Sequence, residues 1–83
     1  MATLRKPRVN PYVPTRDVDR WLGRIHVATP DDVMIAQLNE IIDVPASQDP
    51  RWTAAIRRQT VKYALWRHHR NFEEFAAVNR GFR

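Results

Sequence analysis

Residues 52–75 read WTAAIRRQTVKYALWRHHRNFEEF, a stretch without Gly or Pro. Its reading as a helix decides the fold, and it raises the question of which side faces inward. One apolar line runs Trp52, Ile56, Tyr63, Trp66, at steps of four, seven and three. A second runs Ala54, Val61, Leu65, Phe72 and is extended by Phe75 and Ala76. At about 100° per residue the two lines fall on roughly opposite sides of one helix. A surface helix needs a single apolar stripe, so the second stripe calls for a second cover. That cover is either other parts of the chain (the arm, or the two shorter helices), a second copy, or a foreign partner.

The sequence around this stretch divides by proline and charge. Pro7, Pro11 and Pro14 forbid a continuous helix over residues 1–14 and favour extended backbone before each proline. With Arg5, Lys6, Arg8 and Tyr12 this segment reads as a basic arm, with Val9, Tyr12 and Val13 as apolar anchors. Such an arm either frays at the end of the chain or lies along another molecule. Thr15 is placed to cap a short helix of about 16–25, whose set Val18, Trp21, Leu22, Ile25 follows helical spacing. Thr29, Pro30, Asp31 and Asp32 form a strong start signal for a second helix of about 30–43. Val33, Met34, Ile35, Leu38, Ile41 and Ile42 surround much of its circumference, so it is expected to be the most buried element. A loop broken by Pro45 follows. Asp49 and Pro50 repeat the start signal, and Gly81 marks the end of a third helix of about 50–79.

The expected fold is therefore all-α: two short helices packing on one long C-terminal helix, residues 15–83 as a single domain, and an extended arm before it. A helix of this length spans roughly 45 Å, longer than a globule of this size needs. It is expected to bend near His69–Asn71 or to project beyond its core.

Composition narrows the chemistry. With 83 residues the core is small, while 43% hydrophobic content argues against wholesale disorder. There is no Cys, so disulfides, cysteine zinc sites and thiol catalysis are excluded. No apolar run approaches the ~20 residues of a membrane span, and the N-terminus lacks the apolar segment of a signal peptide. Synthesis in the cytoplasm is the expectation, with a larger assembly such as a virion as a final place. The net charge of +5 is distributed as +4 over residues 1–28, −5 over 29–50 and +6 over 51–83. Such blocks neutralise one another on packing or offer charged surfaces to a partner.

Catalytic constellations are not visible. His68 and His69 point about 100° apart and cannot share one metal. His69 with Glu73 supplies two ligands, too few for a site. Ser47, the sole serine, has no nearby histidine in sequence. Asp31–Asp32 fits helix-start chemistry, and Glu73–Glu74 fits surface pairing with Arg67, Arg70 or Arg80. With two glycines there is no phosphate-binding loop. No enzyme, cofactor, metal or small-molecule substrate is expected.

The expected function is docking on a protein partner or on a second copy, as a structural or accessory component of a larger assembly or as a small inhibitor. Trp52, Ile56, Tyr63 and Trp66 are the expected contact stripe, because aromatic anchors dominate interfaces once desolvated. Arg67 and Arg70 lie beside it, and Arg5, Lys6, Arg8 and Tyr12 contribute from the arm. On this reading Trp66→Ala weakens docking and leaves helicity largely intact. The alternative is a sequence-tolerant DNA or RNA binder, in which the same bases neutralise phosphates and the aromatics stack on bases.

Overall fold

The computed structural model describes residues 5–44 and 47–81; Pro45, expected to break the second loop, and residues 1–4 of the arm lie outside them. Three helices follow in order, α1 (Thr15–Leu22), α2 (Asp31–Ile41) and α3 (Pro50–Gly81). No strand is present among the described residues. The two short helices pack on the long one.

α3 runs unbroken for 32 residues, a length of about 48 Å. The helix is continuous through 69–71, and the molecule's 54 Å length shows the excess as a projection. The molecule measures 54 × 24 × 20 Å, with a radius of gyration of 14.0 Å where about 12 Å is usual for this length. Asp49 starts α3 as its sequence suggests: its Oδ1 accepts the Arg51 N–H at 2.9 Å and its carbonyl accepts the Thr53 N–H at 3.1 Å. The first satisfies a donor that a helix start leaves unpaired, and the second is the first bond of the helix ladder.

The core joins Val18 and Leu22 of α1, Met34 and Leu38 of α2, Ile42 just beyond it, and Tyr63 and Ala64 of α3. Val9, Trp21, Ile25, Ile35, Val61, Leu65 and Trp66 close around these. Burial along α3 follows Ile56, Thr60, Tyr63, Ala64 and His68. A threonine is tolerated on this line because its hydroxyl donates to the Ile56 carbonyl at 2.8 Å.

α2 departs from expectation. Only Met34, Leu38 and the following Ile42, spaced by four, are buried; Val33 and Ile41 are exposed. One line of α2 meets α1 and α3, and among the described residues nothing covers Val33 and Ile41 on its outer side, so it is not the most buried element. α2 begins at Asp31 with Pro30 in extended geometry, and Thr29 does not cap it. Instead the Thr29 hydroxyl donates to the His26 carbonyl at 2.7 Å, while the Ala28 N–H donates to His26 Nδ1 at 3.0 Å. That local turn takes the side chain the helix would have used. α1 likewise starts at Thr15, with Pro14 in the cap position, and ends at Leu22 when Gly23 donates to the Asp19 carbonyl.

Candidate functional site

The arm turns back on the long helix. Its Tyr12 ring meets Trp52 edge-on at 5.5 Å, the Asn10 N–H donates to Gln59 Oε1 at 2.7 Å, and Lys6 Nζ lies 5.9 Å from the Trp66 ring centre. Rising numbers on the arm meet falling numbers on α3, so the two run antiparallel. Extended chain from Lys6 to Asn10 covers about 13 Å, and the helix from Trp66 to Gln59 covers about 11 Å. The first two contacts thus fall in step, and the turn that follows sets Tyr12 against Trp52. An Asn10-Pro11-Tyr12-Val13 turn then reverses the chain into α1: Val13 N–H donates to the Asn10 carbonyl, and Tyr12 N–H to Asn10 Oδ1, both at 2.9 Å. Pro11 sits where its fixed φ suits such a turn.

This answers the question the two apolar lines raised. The line Trp52, Ile56, Tyr63, Trp66 faces the arm and the core. Ile56 is 1% exposed and Tyr63 5%, so neither is open to a partner. The expected exposed aromatic stripe is corrected accordingly: covering it internally removes more apolar surface from water than leaving it for a second molecule. Trp52 and Trp66 stay half-buried, and Trp66 packs against the core, so its truncation now carries a stability cost as well. The second line divides. Val61 and Leu65 pack toward the core, while Ala54, Phe72 and Phe75 are exposed.

Several of the charges expected at the interface gather around Trp66. Arg70 lies 5.9 Å from its ring centre, as Lys6 does. Each such contact is worth about 0.5–1 kcal/mol at an exposed site. Arg70 also pairs with Glu74 at 3.5 Å. Arg67 reaches 3.9 Å from Asp19, whose same oxygen accepts the Tyr63 hydroxyl at 2.7 Å. Burial, then that hydrogen bond and the Asp19 charge, push the Tyr63 phenol up to about 12, with Arg67 pulling the other way. Arg5, Lys6, Arg8 and Tyr12 are exposed along the arm. Of the expected contact residues, Lys6 and Arg70 meet at Trp66 and Tyr12 meets Trp52; Arg5 and Arg8 are exposed, Arg67 turns to Asp19, and Ile56 and Tyr63 are buried.

His68 and His69 serve different partners. His68 is 2% exposed and its Nε2 lies 2.7 Å from the Thr29 carbonyl, so that nitrogen carries the proton and donates. His69 Nε2 lies 2.9 Å from both carboxylate oxygens of Asp31. Among the described residues no three His, Asp or Glu side chains converge as metal ligands. Ser47 Oγ accepts the Asp49 N–H at 3.1 Å within its own turn. Among the described residues no helix is long and apolar enough to cross a membrane.

Two features had no explicit sequence signal. The Asn10–Gln59 bond ties polar residues 49 positions apart. The last turns of α3 leave Phe72, Phe75 and Val78 at 47%, 48% and 58% exposure; the second apolar line and the surplus length of the helix pointed to Phe72 and Phe75 without fixing their exposure. Comparison with protein-family models, with curated proteins and with solved structures finds no match to this chain.

Proposed function

We propose that this chain is a non-catalytic docking protein that binds an acidic protein surface through the face made by the arm and α3. The observation that carries this reading is the placement of Lys6 and Arg70 over the half-buried Trp66 ring, each at 5.9 Å. Cations held over an aromatic anchor present charge and apolar area together, the combination enriched in interface hot spots. Arg5, Lys6 and Arg8 speed and orient encounter with an acidic partner. Tyr12, Trp52 and Trp66 give the anchoring area, and Arg67 and Arg70 complete the rim. Such a protein serves as an accessory component of a larger assembly, a virion among them, or as a small inhibitor.

The same bracketed ring favours the second reading, a single-stranded nucleic acid whose base stacks on Trp66 while its phosphates meet Lys6 and Arg70. A photo-crosslinking side chain at Tyr12 separates the two in lysate of the source cells. The docking reading expects an adduct that protease removes and nuclease does not, and that Lys6→Glu with Arg70→Glu abolishes. An adduct removed by nuclease transfers the face to nucleic acid, and no adduct at all ends the docking reading.

A further inference from the structure

The first half of α3 is the floor of an open groove of about 970 Å3. Asn39 of α2 and Ser47 of the loop that follows stand on one margin. On the other, Gln59 accepts the Asn10 N–H and so ties the arm down beside the groove. Ala54, Ala55, Arg58 and Lys62 fall within an arc of about 100° at helical spacing, and each is exposed or half-buried. The two alanines keep this floor low, so a second backbone can approach it closely.

Charge in the groove has one sign. Arg57, Arg58 and Lys62 line it, and among the described residues no Asp or Glu does. Among those residues none of the three cations makes an ion pair. Further along α3 the pattern differs: Arg67 meets Asp19 and Arg70 meets Glu74. Arg58 and Lys62 stand four positions apart, about 6 Å along one side of the helix. Like charges at that spacing destabilise a helix, and an anion held between them relieves the repulsion.

Backbone chemistry selects the form of the occupant. An extended segment needs backbone partners, and α3 spends its own on its helical ladder. A helix satisfies its backbone internally and offers carboxylates at i and i+4 with the same 6 Å step. The α3 lining from Pro50 to Lys62 is about 18 Å long, room for three turns.

We infer that this groove receives an acidic helix of the protein partner, laid along α3. Its carboxylates at i and i+4 meet Arg58 and Lys62, and its small apolar residues meet Ala54 and Ala55. The groove adjoins the face proposed above, so the inference rests on that reading and names what the partner brings to it.

The probe is a synthetic alanine-rich helical peptide with glutamates at i and i+4, titrated into the full chain and followed by amide chemical shifts. Shifts that saturate at Ala54, Ala55, Arg58 and Lys62 are expected. Arg58→Glu with Lys62→Glu is expected to weaken binding about tenfold, with amides outside the groove unmoved. The variant is expected to bind the same peptide carrying lysines in place of its glutamates. An isomeric peptide with its glutamates spread around the helix is expected to bind the wild type about tenfold more weakly. No shift at millimolar peptide, or equal binding of the two isomers, overturns the inference. Shifts confined to Lys6, Tyr12, Trp66 and Arg70 overturn it and leave the docking face standing; that face fails separately, in the Tyr12 adduct. A single-stranded oligonucleotide that moves the groove amides and displaces the peptide also overturns it, by giving the groove to nucleic acid.

Discussion

The Tyr63 hydroxyl donates to Asp19 at 2.7 Å from a ring that is 5% exposed. Burial and the adjacent carboxylate both disfavour the phenolate, which raises its pKa from 10.0 to about 12. A group raised on folding contributes stability that is complete below its unfolded value, near pH 10, and is lost as pH climbs toward 12. Urea unfolding of the wild type is expected to show this fall between pH 10 and 12, and Tyr63→Phe to flatten it. At neutral pH the same substitution costs about 1–2 kcal/mol, since it removes a hydrogen bond to a charged acceptor. Met34 has no exposed surface, and Met34→Ala is expected to cost about 2–5 kcal/mol in the same assay. An unchanged midpoint in either variant would mean these side chains are not where the core places them.

Helix starts show what is legible locally and what is not. Asp49-Pro50 is readable because nothing else competes for the Asp49 carboxylate, which accepts the Arg51 N–H. Asp49→Ala is expected to cost about 1 kcal/mol, measured by thermal or urea unfolding. Thr29-Pro30 carries the same signal, yet the 26–29 turn captures the Thr29 hydroxyl first. Its carbonyl is then taken by His68, 39 positions away. Such a long-range partner leaves no trace in the local pattern. Apolar count alone also misjudged α2, since Val33 and Ile41 are apolar and exposed. What decides burial is how much of a helix its neighbours reach, and among the described residues α1 and α3 reach chiefly the Met34–Leu38 line of α2. Amide exchange in the full chain is expected to be slow over residues 56–68 and fast over 72–80, where few contacts restrain opening. Uniform protection along α3 would contradict the projection.

At the scale of the whole molecule, an all-α arrangement of two short helices on one long helix was readable from periodicity and proline placement. Most residues of the candidate face were readable too, as bases and aromatics on the arm and α3. Their arrangement was not, because both apolar lines of α3 look equally available until the arm's length is matched against the helix. Arm and α1 take the line of Ile56 and Tyr63, and the overhang inherits the exposure. Removing residues 1–13 deletes Val9 and the buried Val13. Unfolding of that variant is expected to show a loss of about 2–4 kcal/mol, with tryptophan emission shifted to the red. The docking reading depends on where the arm lies, so its position is the central claim. Its most direct test is the proton nuclear Overhauser spectrum of the full chain. The account predicts cross-peaks between the Tyr12 and Trp52 rings, and between the Lys6 side chain and the Trp66 ring, in the same sample. Absence of both, with arm resonances at random-coil positions, would contradict it.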